Sequence, residues 1–419
     1  MTASHEKGAG RSATRPLEAL NFFMADMQAG IGPFLGVFLQ QRGWATGAIG
    51  LVMTLGGVAG MVVTAPAGAL VDATSRKRIY VAVAGMFTVL ASALIFISQD
   101  FWVIATSQVA TAIAGAAIGP AVAGITLGIV RQRGFNRQNG RNQAFNHAGN
   151  LVGAALSGFL GWKFGLIAIF WLAAAFGVAA IASVLLIPQA AIDDRAARGL
   201  EMASSDMDDV KGWRVLLDCK PLLVLAGALA FFHLGNAAML PLYGLAVVAA
   251  GKGNPAAFVA TTIVIAQAVM IVASLFAMRM TESRGYWWVL LVTFVALPIR
   301  GLVAATVIQH WGVFPVQILD GIGAGLQSVA VPGLVARILS GTGRVNVGQG
   351  AVMTVQGLGA ALSPALGGFL AQELGYPSAF LILGGFALGS LGLWLGFAGL
   401  LKPACERLPD ATDGQPAAA

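Results

Sequence analysis

With 419 residues, 57% hydrophobic and only 10% charged, and a mean hydropathy of +0.79, the chain carries less than half the charge of a soluble domain, which is about 25% charged. Such a composition excludes an ordinary water-soluble enzyme. The net charge of +7 does not point to nucleic acid either, because the cations lie in short polar stretches between long apolar ones, as in a membrane protein.

The residues up to Arg15 are polar and basic, so no cleavable signal peptide is expected ahead of the first apolar run. A span needs about 20 mostly apolar residues. Twelve are read near 17–40, 47–70, 79–98, 101–129, 142–162, 164–187, 221–245, 257–278, 286–308, 312–336, 347–370 and 377–401. They imply an N-terminal tail (1–16), a six-helix bundle (17–187), a polar linker (188–220), a second six-helix bundle (221–401) and a C-terminal tail (402–419). The linker, rich in both charge signs, reads as a solvated connector, a surface helix or a flexible strap. Of 25 Lys and Arg residues, Arg42, Lys163 and Lys252 fall in loops of one side and Arg300 within a span; the other 21 fall on the side of both tails. That imbalance places both termini in the cytoplasm of a bacterial-type inner membrane.

The two halves repeat. Asn21-Phe-Phe-Met-Ala-Asp26, followed by Pro33, matches Ala230-Phe-Phe-His-Leu-Gly235, followed by Pro241. Gly153-Ala-Ala-Leu-Ser157 in span 5 matches Gly359-Ala-Ala-Leu-Ser363 in span 11, and the offset stays between 206 and 209. Parallel repeats about an axis along the membrane normal, with a site near the midplane between them, are a transporter design. Small residues in spans 5 and 11 allow close helix contact in lipid.

Between spans 2 and 3 the chain reads Gly68-x-x-x-Asp72-x-x-x-Arg76-Lys77-Arg78. This resembles the signature loop of the major facilitator superfamily, with Ala73 where a cation is usual and Ser75 where Gly is usual. The resemblance implies an all-α membrane fold of twelve helices in two pseudo-symmetric bundles, a central cavity lined by helices 1, 4, 7 and 10, and alternating access. It also implies that Asp72 packs against a helix N-terminus of the other half, where the macrodipole favours a carboxylate, and pairs with Arg131 or Arg133. Gly68, Asp72, Arg76, Arg131 and Arg133 would then form a latch. Two features of the superfamily's proton antiporters are missing: an Arg in helix 4 (108–115) and a Pro in the helix 5 motif (153–161).

Charge inside a span costs about 2.5–3.5 kcal/mol on insertion scales and marks function. The acidic residues read as lying within spans are Asp26 and Asp320, the cation is Arg300, and the histidines are His147 and His233. Asp26, partly desolvated in a cavity, is the first candidate for binding and releasing a proton, with Asp320 and His233 as others. Arg300 and Asp320 lie ten positions either side of His310 and are expected to form a buried ion pair; anion binding by Arg300 or proton carriage by Asp320 are the alternatives. His233 and Asn236 share a helix face. Asn21, Gln28, Gln108, Asn236, Gln317 and Gln356 are candidates to line the cavity. His147 reads as structural.

No phosphate loop, zinc motif or catalytic triad is present, so no enzyme, cofactor or metal is expected. Cys219 and Cys405 form no disulfide framework. The reading is a monomeric secondary transporter in the bilayer, exchanging protons for a small molecule, resembling drug or metabolite exporters. Proton-coupled uptake of an organic anion is the alternative, and a non-transporting sensor of the same fold a remote one.

Overall fold

The structure, a computed structural model, describes residues 13–25, 35, 38–39, 42–44, 46–165, 167–200, 214–249 and 255–406. Among the described residues all regular structure is helical. Helix α1 covers 13–25. It is followed by α2 (Thr46–Ala73), α3 (Lys77–Ile97), α4 (Phe101–Ala116), α5 (Ile118–Phe164) and α6 (Ile167–Leu186). Two single turns, α7 (Asp194–Ala197) and α8 (Val215–Asp218), belong to the linker. The second half holds α9 (Lys220–Asn236), α10 (Met239–Ala249), α11 (Pro255–Arg284), α12 (Tyr286–Thr306), α13 (Val313–Ile338), α14 (Val345–Gly396) and α15 (Ala398–Cys405).

Helices dominate because hydrocarbon offers no partner for a backbone N–H or C=O, so each span must bond within itself. The 52-residue α14 would be about 78 Å long if straight, more than twice the hydrocarbon thickness. It folds back at Gly375 (φ 80°, ψ 161°). The 47-residue α5 turns at Arg131 (φ 58°, ψ 178°), so its first part continues α4 as the fourth span and its second part is the fifth. Spans 4 and 7 are each interrupted, α4 to α5 at Ala117 and α9 to α10 after Asn236. Pro120 and Pro241 lie three or four residues further on, and a proline cannot donate the helical bond back.

Each half has its own core. Leu17, Val71, Ile118 and Val184 pack in the first; Leu229, Phe294, Leu334, Phe380 and Trp394 in the second, which also takes in Leu127 and Phe135 from α5. Large apolar side chains such as Ile97, Trp102, Trp171 and Leu388 remain exposed, as lipid-facing surfaces require. Cys405 is buried in the second core, and burial pushes its thiol up to about 12, which makes it unreactive.

Close approach is built on glycine. A Cβ at Gly149 would lie 2.0 Å from the Phe22 carbonyl oxygen, and one at Gly359 2.2 Å from that of Ala230. These are repeat-related contacts, span 5 on span 1 and span 11 on span 7. Gly149→Ala is therefore expected to push α1 off α5 and destabilise by at least 1–3 kcal/mol. Gly158→Ala, with nothing within 4 Å of the added carbon, should leave thermal unfolding in detergent unchanged.

Two expectations are corrected. The fifth span was placed at 142–162, with 130–141 as a loop. Instead the chain is helical from just after Arg131, some ten residues earlier. Arg133, Arg137 and Arg141 form an exposed stripe at four-residue spacing, while Phe135, Gln138, Asn139 and Asn142 on the opposite faces are buried. A hydropathy window ignores a polar helix whose buried face is amide-rich. Nor is the described start of the linker, 188–200, a free connector. Residues 189–200 dock against the end of the bundle that carries the basic loops, with Ala196 and Ala197 buried. Asp193 caps α7 by accepting from the N–H groups of Arg195 and Ala196.

Candidate functional site

A cavity of about 390 Å³ lies between the halves. Met24 on α1 and His233 on α9, at equivalent repeat positions, both face it, as do the repeat-related Gln143 and Gln349. The interrupted fourth span contributes Gly119, Pro120 and Thr126. Asn139, Asn142 and Asn146 come from α5, Gln327 and Ser328 from α13, and Met353 and Gln356 from α14. The wall is thus rich in carboxamides set among Met, Val, Ala and Pro. Among the described lining residues none is Asp, Glu, Lys or Arg, and His233 is the titratable one.

Of the expected lining residues, Asn21 and Gln356 reach this cavity, as does the proton candidate His233. Asp26 and Gln28 lie outside the described residues. Gln108 packs instead against α2 at Gly56, a correction that follows from its position on the face of α4 toward α2. Asn236 and Gln317 are also displaced from the cavity wall, because both are engaged by Arg300. Arg300 Nη1 lies 2.8 Å from Asp320 Oδ1 and donates to Asn236 Oδ1 at 2.5 Å. Its Nη2 reaches Gln317 Oε1 at 3.4 Å, and Asn236 Nδ2 donates to Asp320 Oδ1 at 3.2 Å. The arginine side chain is 1% exposed and the aspartate 13%. Asn236 and Gln317 thus supply the additional hydrogen bonds that a buried pair needs. His233 lies one turn before Asn236 on α9, on the cavity wall beside Gln327. His233 on the cavity wall and Asn236 at the ion pair thus set a polar relay between the two. His147 Nδ1 meets Gln267 Oε1 at 2.9 Å, joining α5 to α11.

At the basic end the halves touch. Asp72, at the end of α2, accepts from the backbone N–H of Val347 at 2.9 Å and from Asn346 Nδ2 at 2.6 Å. Both donors lie in the first turn of α14, so a carboxylate of one half caps a helix of the other. Gly68, one turn earlier, permits this: an added Cβ would stand 2.5 Å from the Asn346 carbonyl oxygen and 2.9 Å from the Val347 Cα. The cation implied for Asp72 is corrected. Arg131 Nη2 lies 3.1 Å from Asp193 Oδ2 in the linker, Arg133 and Arg76 are exposed, and the carboxylate's contacts are Asn346 and Val347. The unusual Ala73 is exposed and takes no part. Asn346 Nδ2 also donates to the Ala197 carbonyl at 3.0 Å. The fully buried Lys77 Nζ donates to Thr74 O at 2.7 Å and lies 3.9 Å from Asp194 Oδ1. Further bridges are Tyr286 Oη to Asn136 Oδ1 at 2.6 Å, and Asn139 Nδ2 to the Ser328 and Val329 carbonyls at 3.3 and 3.4 Å.

The sequence matches the family model of the Major Facilitator Superfamily over residues 18–314 and 253–417. The chain belongs to this superfamily. Two relatives from Mycobacterium tuberculosis strains, the uncharacterized MFS-type transporters MT2531 and Rv2456c, are each 36% identical over 383 residues, 91% of this chain and 92% of theirs. Among solved structures, the human organic anion transporter MFSD10 (TETRAN) superposes with a TM-score of 0.72 at 14% identity, covering 92% of this chain and 99% of that one. FucP in the outward conformation gives 0.70 at 13%, covering 95% and 100%. These likenesses show the fold. The chain is a multi-pass membrane transporter of the major facilitator type, not an enzyme, and it moves a small molecule.

In this transporter some polar residues were not legible as functional. Glu18 is buried, 2.9 Å from Arg141 Nη2. It also accepts from Gln138 Nε2 at 3.2 Å. Gln138 in turn donates to Asn142 Oδ1 at 2.9 Å, and Asn142 Nδ2 to Thr126 Oγ1 at 3.0 Å, which brings the network to the cavity wall. Reading Asp26 and Asp320 as the acids within spans omitted Glu18. It stands at the second position of the predicted first span, where a charge passes for a flanking residue. Asn139 was lost with the missed start of the fifth span, and Asn142 stood at that span's first expected residue, where an amide passes for a flanking one.

Proposed function

We propose that this transporter is a proton-coupled exporter of a small molecule without negative charge. The observation that carries the reading is the cavity wall, where His233 stands one helical turn from Asn236 at the Asp320–Arg300 pair while no cation among the described residues faces the cavity. A carboxylate solute would find no counter-charge there, and an unpaired buried charge costs several kcal/mol. Arg300, the residue an organic anion would need, is already held by Asp320. This argues against the organic anion alternative; the substrate of MFSD10 does not transfer at 14% identity.

In the proposed cycle, residues 17–187 and 221–401 rock about the cavity, tied by the 188–220 linker. In this reading the basic end and both termini face the cytoplasm of a bacterial inner membrane, which the cation imbalance supports. The Asp72, Asn346 and Val347 contacts then serve as a cytoplasmic latch, and the chain works as a monomer. Protonation at His233, Asp320 or Asp26 changes the charge of the relay and is exchanged against substrate. One proton gains about 2.3 kcal/mol per 100 mV and about 1.4 kcal/mol per pH unit, together enough to concentrate a neutral solute roughly 500-fold.

Cells producing the wild type, His233→Gln and Asp26→Asn would be compared for accumulation of a varied compound panel, with and without a protonophore. The expected result is lowered accumulation of at least one compound, abolished by the protonophore and reduced at least tenfold in one variant at equal membrane levels. Raised accumulation would turn the direction to uptake, and flux indifferent to the protonophore would sink proton coupling.

A further inference from the structure

We propose that the cavity selects an uncharged, hydroxyl-rich small molecule, and that Gln327 is the residue that fixes this specificity. The inference deepens the transport reading above and rests on it. Gln327 lies on α13 and is 7% exposed. It lines the cavity beside His233, and its Nε2 has no partner. The amide nitrogen of Gln327 thus keeps two N–H donors without an acceptor. A buried donor without an acceptor costs about 1–3 kcal/mol, so the wall is incomplete until a solute oxygen meets it.

Other carboxamides present the complementary group. Asn139 spends its Nδ2 on the Ser328 and Val329 carbonyls, and Gln349 its Nε2 on the Pro332 carbonyl at 2.7 Å. What each can offer a solute is its amide oxygen, an acceptor. Donors at Gln327 facing acceptors at Asn139 and Gln349 suit a group that both gives and takes hydrogen bonds, which is a hydroxyl. Carboxamides do this without net charge. A volume of about 390 Å³ is at the small end of ligand pockets, roughly 300–1,000 Å³, and admits a compact solute.

The test uses the purified full chain in detergent, with thermal unfolding read against mannitol, a hexose and uridine as neutral hydroxyl-rich probes, benzoate as an anion and tetraethylammonium as a cation. At least one neutral probe should raise Tm, and benzoate and tetraethylammonium should not. Gln327→Leu should weaken that probe's binding about tenfold. Gln327→Met, of similar length but with no N–H to give, should weaken it similarly while the ligand-free Tm does not fall, since the unpaired buried donor is removed without a charge. Stabilisation by benzoate or tetraethylammonium, no response to any neutral probe, or unchanged binding in both variants would overturn the proposal. Binding of a neutral probe without flux in liposomes would count against transport and leave the specificity assignment standing.

Discussion

Arg300→Ala is expected to lower the unfolding temperature by roughly 10 °C, because it strips Asp320 of its partner inside the second bundle. Breaking a buried ion pair from one side costs about 3–5 kcal/mol, most of it the desolvated charge left behind, and each kcal/mol corresponds to roughly 2–4 °C for a unit of this size. Asn236 and Gln317, both hydrogen-bonded to the guanidinium, lose a donor in the same step. The double change Arg300→Leu with Asp320→Leu removes both charges and should recover much of the loss, since an apolar pair of similar volume is often neutral or better. Thermal unfolding of the single and double variants decides it. Equal destabilisation in both would show that packing around Arg300, rather than the unpaired carboxylate, sets the cost.

Gly68→Ala should open the basic end while leaving each bundle folded. The added carbon meets backbone atoms of Asn346 and Val347, which belong to the opposite half, so the clash is relieved by separating the halves rather than by unfolding either. Asp72→Ala acts on the same contact by removing the cap from α14, a loss of about 0.5–2 kcal/mol, equivalent to a shift of up to roughly thirtyfold in the ratio of closed to open forms. With Cys219 and Cys405 replaced by Ser, a cysteine at the cavity residue Ala123 reports the opening. A membrane-impermeant maleimide added on the side of the Arg76–Arg78 loop should label it about tenfold faster in either variant. Labelling at the wild-type rate in both would mean that other bridges, such as Tyr286 to Asn136, hold this end shut alone.

The linker shows how sequence and structure differ in reach. Its charges mark it as polar, and polarity is all that composition conveys. That Ala196 and Ala197 are buried, and that Asn346 joins Asp72 to the Ala197 carbonyl, depends on residues 149 and 274 positions apart in the chain meeting in space. The same holds for Gln108 and Gln317. Both stand at matched repeat positions and read alike, yet one faces a neighbouring helix and the other an arginine.

Hydropathy, the cation imbalance and the internal repeat determined by themselves that this protein is a membrane protein of two related halves, because lipid imposes span length and satisfied backbone on every helix regardless of its neighbours. The signature loop pointed to the family, and the offsets to Met24 and His233 as equivalent places. Which polar side chain faces the cavity, which is consumed by an ion pair and which closes the basic end was decided by tertiary structure alone. A helix position has one spacing along the chain but several possible neighbours around its axis, and only packing of the two halves chooses among them.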